Sequence, residues 1–92
     1  IGAAVPLSHI EDTLHGVFPS MDEMLHWFAA RQVRNRATLG GNIGTASPIG
    51  DLPPVLLALD AQLKLVSKAG ERIIPLANFF KGYRQTDLQP GE

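Results

Sequence analysis

Cysteine is absent from the 92 residues, which excludes both a disulfide framework and thiolate metal sites. A surplus of positive charge is absent too. Eight basic against nine acidic residues leave a net charge of −1, whereas a nucleic-acid surface needs a basic excess. Long hydrophobic runs are missing: Val55 to Leu59 is the longest, and a bilayer span takes roughly 20 apolar residues. No signal-peptide pattern is visible. Histidine is scarce and scattered over positions 9, 15 and 26, without ligand spacing, so no metal site is expected. What is present is apolar enough to fold. With 45% hydrophobic and 18% charged residues, the chain stands apart from disordered segments. The expectation is a soluble, cytoplasmic chain of one domain at most, with no nucleic-acid or membrane partner.

The chain opens on a small apolar, strand-like run, Ile1 to Val5. Ser8 with Glu11 three residues later has the pattern of a capping box, and Gly16 offers a left-handed stop to the helix it would start. Ser20 and Glu23 repeat the pattern after Pro19. Met21, Met24, Leu25 and Phe28 then follow at i, i+3, i+4 and i+7, which predicts one apolar face of a helix running to about Ala30. Asp51 reads as the cap of a further helix over 52–59, with Pro53 and Pro54 in the first turn, where a missing amide costs nothing. That helix is otherwise apolar on every side. Residues 61–67 alternate as a half-buried strand, 68–71 turn, and 72–76 return, giving a hairpin. Asn78 to Phe80 reads as a helical turn, 83–86 as extended, and 88–92 as a closing turn.

Between Arg31 and Gly50 the periodicity stops, and the stretch reads as a long ordered loop. Loops beyond about 12–15 residues are uncommon in compact domains and usually carry function. Glycines at 40, 41, 44 and 50 let a ligand approach the backbone closely. Thr38, Asn42, Thr45 and Ser47 add hydrogen-bonding side chains at short intervals. Physics alone leaves two readings open here, a nucleotide or anion loop and an ordinary turn. Neither the P-loop pattern nor Gly-x-Gly-x-x-Gly between a strand and a helix occurs. A nucleophile–base pair is not evident, so no catalytic residue is assigned.

The run Arg34-Asn35-Arg36-Ala37-Thr38-Leu39-Gly40-Gly41-Asn42, followed by Thr45-Ala46-Ser47-Pro48-Ile49-Gly50-Asp51 and Pro54, resembles the central motif of the FAD-binding domain in molybdenum hydroxylases. Those enzymes include xanthine dehydrogenases and carbon monoxide dehydrogenase-type flavoproteins. Ile1-Gly2-Ala3, Trp27-Phe28-Ala29, Leu57 to Ala61, and the stretch from Phe79 through Gly82-Tyr83-Arg84, Thr86 and Leu88 to Pro90-Gly91-Glu92 extend the likeness over nearly the whole chain. The final stretch is more similar to the small iron–sulfur/flavin subunit of bacterial xanthine dehydrogenases than to the carbon monoxide branch.

The resemblance implies an α+β fold, part of a two-subdomain FAD-binding domain with short helices packed on a small, mainly antiparallel sheet. It implies FAD as cofactor, contacted by Thr38, Leu39, Gly40, Gly41, Asn42 and Thr45 through backbone amides and the polar side chains. Asp51 either caps its helix or accepts hydrogen bonds from cofactor hydroxyls, and the two are compatible. Phe28 is core by its helix position, while the family places an aromatic there against the adenine end of FAD. Arg31, Arg34 and Arg36 read as solvated or intersubunit groups rather than a phosphate clamp; Trp27, Phe79, Phe80 and Tyr83 read as packing residues. No counterpart of the family's first, pyrophosphate-binding loop is present, so residues 1–92 read as the opening half of the second subdomain. Implied partners are the rest of the FAD domain, an iron–sulfur domain with 2Fe-2S clusters and a molybdenum subunit with molybdopterin. Electrons from purine oxidation would then pass through FAD to NAD. A carbon monoxide dehydrogenase-type flavoprotein, or a non-redox nucleotide-binding piece, are the alternatives. One hairpin is too little to cover the apolar helices, so an exposed apolar patch or a self-association surface is expected.

Overall fold

A computed structural model describes residues 1–92. Five short helices precede two small antiparallel sheets, an α+β arrangement as expected. The helices are α1 (Leu7–Thr13), α2 (Pro19–Trp27), α3 (Arg31–Arg34), α4 (Leu39–Gly44) and α5 (Leu52–Ala58). Strands β1 (Gln62–Ser67) and β2 (Gly70–Pro75) pair from Gln62 opposite Pro75 to Ser67 opposite Gly70. A 3-10 turn over Leu76–Asn78 leads to the smaller pair β3 (Phe80–Gly82) and β4 (Gln85–Thr86).

The core is built from one leucine per element. Leu7 of α1, Leu25 of α2, Leu52 of α5 and Leu76 of the 3-10 turn are wholly buried, each contributing about 1.5–3 kcal/mol relative to exposure. Met21 and Leu25 are buried, and Met24 and Phe28 pack partly against them, so the apolar face read from the sequence is the face that is used. In β1 every second residue from Leu63 is half-buried. Leu76 N donates to Ala61 O at 2.9 Å, tying the end of the hairpin to its start.

Several expectations are corrected. Ile1 to Val5 forms turns rather than a strand. The segment is pinned to the middle of the chain instead: Leu7 N donates to Ala37 O (2.8 Å), Gly40 N donates to Ala3 O (3.0 Å), and Pro6 bridges Thr38. Neither capping box forms. The cap positions fall on Pro6 and Phe18, and Ser8 and Ser20 lie inside their helices. Ala37 O already serves the Leu7 amide, leaving one orphan donor fewer for a side chain to satisfy, and Glu11 and Glu23 have turned to Arg34 and Trp27. α2 stops at Trp27, where Phe28 turns extended (ψ 106°) and Ala29 then adopts a left-handed φ of +46°. Residues 83–84 turn between β3 and β4 rather than extending. α5 is not covered all round: Leu56 is buried, but Leu57 and the following Leu59 are exposed.

Candidate functional site

The stretch 31–50, expected as a loop, contains α3 and α4. Thr38 makes α4 possible. Its backbone is extended (φ −130°, ψ 160°), and its Oγ1 accepts from Gly41 N at 2.9 Å, the bond that stabilises a helix start. Asn42 N donates to Thr38 O at 3.1 Å, and Thr45 Oγ1 donates back to Asn42 O at 3.0 Å. With Gly40 N bonded to Ala3 O, the amides of residues 40, 41 and 42 all find acceptors inside the chain.

The glycines of α4 differ in purpose. A Cβ on Gly40 would stand 2.8 Å from both Cβ and O of Ala3, so this glycine admits the crossing backbone. A Cβ on Gly41 would meet only Thr38 Oγ1, at 3.0 Å, and one on Gly44 would meet nothing. Leu39 and Ile43 point into the core. Asn42 alone presents an open valence. Its Oδ1 is buried without any hydrogen-bond partner, a condition that buried polar atoms rarely tolerate. That oxygen lies 3.5 Å from where a Cβ on Gly50 would be, next in the chain to Asp51.

Asp51 faces a cleft of about 560 Å³, lined by Ser20, Glu23, Met24 and Trp27 of α2, by Phe28, and by Asp51 and Val55 at the start of α5. The volume lies in the range of small-molecule sites. Two expected site residues thus meet in one cleft, Phe28 half-buried and Asp51 exposed. Asp51 holds the cap position of α5 but makes no capping bond. A cap side chain accepts from the amides two and three residues on, and here these are Pro53 and Pro54, which have none. The carboxylate is therefore free for the cleft. Thr38 and Thr45 remain at the two ends of α4, outside the lining of the cleft.

Two of the three arginines of this stretch bind within the chain. Arg31 forks onto Asp12 at 2.7 and 3.2 Å, and the bond holds the Asp12 carboxyl below its ordinary range and raises the guanidinium. Arg34 Nε donates to Glu11 Oε2 at 2.8 Å. Arg36 stays exposed. Trp27, expected as a packing residue, is 75% exposed on the rim of the cleft, where Nε1 donates to Glu23 at 3.3 Å. Tyr83 is exposed as well, under Arg84, while Phe79 and Phe80 pack as expected. The pairing of Glu11 and Asp12 with Arg31 and Arg34 had a visible signal. Two adjacent acids on one short helix face two bases one turn apart on another.

A family model described as the FAD binding domain in molybdopterin dehydrogenase matches residues 1–92. Xanthine dehydrogenase/oxidase of Gallus gallus is 45% identical over 103 residues, which take in 99% of this chain and 8% of that protein. Among solved structures, quinoline 2-oxidoreductase from Pseudomonas putida 86 superposes with a TM-score of 0.89 at 32% identity, covering 99% of this chain and 33% of its own. Reconstituted CO dehydrogenase from Oligotropha carboxidovorans superposes with a TM-score of 0.91 at 28% identity, over 99% and 32% of the two chains. The chain therefore spans about 8% of the length of the curated relatives it matches.

Proposed function

The chain belongs to the family of FAD-binding domains in molybdopterin dehydrogenases, and on that premise we propose that the cleft between α2 and α5, with the adjoining α4, holds part of an FAD molecule. One observation carries the reading: the buried, partnerless Oδ1 of Asn42 next to Gly50 and Asp51. It is an acceptor waiting for a donor, and FAD offers sugar-chain hydroxyls and ring N–H groups. The residues present fit the cofactor. Phe28 offers a ring face in the cleft, suited to stacking on an aromatic system. Asp51 accepts from hydroxyls, since a carboxylate beside a diphosphate would be repelled. The Thr38 oxygen is used as an acceptor by Gly41, which leaves its hydrogen to donate, and the open Cα face of Gly44 admits close approach. Bound FAD supplies the redox chemistry, and this chain supplies position and hydrogen bonds.

Residues 1–92 are the opening half of the second subdomain of such a domain, with the remaining FAD domain, an iron–sulfur domain and a molybdenum subunit as partners. The 45% identity to a xanthine dehydrogenase/oxidase, above the 28% to a CO dehydrogenase, favours the xanthine dehydrogenase type over the carbon monoxide branch. The test is flavin content per protein in the full-length enzyme. Asn42→Ala lowers it, while Arg31→Ala, whose guanidinium serves Asp12 at the surface, leaves it unchanged. Equal flavin content in the two variants refutes the assignment of Asn42.

A further inference from the structure

The ring of Phe28 enters the cleft from an unusual piece of backbone. Phe28 leaves α2 in an extended conformation (φ −78°, ψ 106°), and Ala29 then turns left-handed at φ +46°, a region that an alanine enters only when its surroundings hold it there. What holds it is one guanidinium. Nη1 of Arg34 donates to Phe28 O at 2.7 Å and to Ala29 O at 2.8 Å, while Nε donates to Glu11 Oε2 at 2.8 Å. The Arg34 side chain is only 12% exposed; its bonds to Glu11 and to Phe28 O are partly buried, while the bond to Ala29 O faces solvent.

The geometry has a direct consequence for Phe28. Peptide planes are rigid, and the two carbonyls fix the two planes that follow Phe28. Phe28 N donates to Leu25 O at 3.2 Å, which fixes the plane before it. With both flanking planes set, the direction of the Phe28 Cα–Cβ bond is fixed, and the side chain that leaves along it lines the cleft with Asp51 and Trp27. Arg31, one turn earlier, hydrogen-bonds only to Asp12, with Glu11 Oε2 at 3.7 Å, and donates to no backbone carbonyl beside the cleft.

We propose that Arg34 is the positioning residue for Phe28 in FAD binding, oriented by Glu11 and acting through the carbonyls of residues 28 and 29. The inference rests on the reading of Phe28 as a cofactor contact. Lysine cannot replace Arg34, because an ammonium is a point donor and lacks the fork that spans a carboxylate and two carbonyls at once.

A double-mutant cycle in the full-length enzyme tests this. Flavin-free protein is titrated with FAD, and the dissociation constant is read from flavin fluorescence. Arg34→Lys raises that constant about tenfold when Phe28 is present, the scale of losing one aligned aromatic contact. In the Phe28→Leu background the same change has little effect, because nothing remains to be positioned. Glu11→Gln gives a smaller rise with the same dependence on Phe28, and carries the cycle if Arg34→Lys does not fold. Arg31→Lys leaves the constant unchanged. An equal loss from Arg34→Lys in both backgrounds makes Arg34 a general structural residue and overturns the proposal. If Phe28→Leu itself leaves FAD affinity intact, the cofactor role of Phe28 fails, a result distinct from failure of the Arg34 coupling.

Discussion

Gly40 and Gly44 stand four residues apart in the same short helix, and replacing each by alanine separates close packing from helix propensity. Both have ordinary helical φ, so both substitutions gain up to about 1 kcal/mol from propensity and a stiffer unfolded chain, less at the helix end where Gly44 sits. Only Gly40 meets an obstacle. The added methyl would lie 2.8 Å from Ala3 O and Ala3 Cβ and 3.2 Å from Ala3 C, and Ala3 is held by the bond its carbonyl accepts from Gly40 N. Backbone atoms cannot rotate away as a side-chain tip can, so overpacking costs about 1–3 kcal/mol. Gly40→Ala is therefore neutral to about 2 kcal/mol less stable than wild type, while Gly44→Ala is at least as stable as wild type. In urea unfolding followed by circular dichroism, with a slope near 1 kcal/mol per molar for a domain of this size, the Gly40→Ala midpoint lies below that of Gly44→Ala by up to about 3 M. Coincident midpoints, or a more stable Gly40→Ala variant, would show that Ala3 does not press on α4.

Thr38→Ala removes the only side-chain cap seen on α4 and costs about 1 kcal/mol in the same assay, whereas Thr38→Ser costs a few tenths. Asn42→Ala has effects of opposite sign. It removes a buried acceptor that nothing satisfies, so flavin-free stability holds or rises, while FAD affinity falls up to about tenfold; parallel losses in both would refute the open-valence reading. The bidentate pair of Arg72 with Glu92 makes an acid-pH prediction. Arg72 bonds, helped by the Gln89 amide, hold the Glu92 carboxyl down to about 2 from an ordinary value near 4.5. A carboxyl depressed in the folded state contributes stability above its unfolded value and loses it as pH falls through the folded one. Stability thus declines between about pH 4.5 and 2, and Glu92→Gln flattens that decline; an unchanged profile in the variant refutes the role of Glu92.

How much of this could be read from residues alone depends on where the determining contact lies. The apolar face of α2 was legible because Met21, Met24, Leu25 and Phe28 repeat at helical spacing, and the hairpin because residues 62–67 alternate. α3 and α4 were not, since four glycines between Arg31 and Gly50 mask any period and α4 depends on Ala3 crossing at Gly40. The capping boxes misled for the same reason. A local pattern offered Glu11 to its own helix, but Arg34, distant in sequence, makes a charge-assisted bond to it. Asp51 is a different case. The two prolines that deny it a capping amide stand beside it in the sequence, so its freedom to face the cleft was legible from Asp51-Leu52-Pro53-Pro54 without any structure.

The glycine segment also changes meaning once its hydrogen bonds are counted. A loop of free amides would cradle phosphate oxygens, but the amides of residues 40–42 are spent on Ala3 and Thr38. What α4 leaves unsatisfied is one buried carboxamide oxygen, and what it leaves open, at Gly44, is a bare Cα face. These suit hydroxyl donors and flat surfaces, and Asp51 in the cleft adds a negative charge that disfavours a diphosphate. The division of labour follows from charge and donor supply. On the proposed placement of FAD, this chain would engage the sugar-chain and ring portions, and the diphosphate would fall to the other subdomain. On that reasoning, inorganic pyrophosphate competes weakly with FAD at this half of the site, and Asp51→Asn strengthens pyrophosphate competition while weakening FAD. A drop in both would place the diphosphate beside α4 and reverse the assignment.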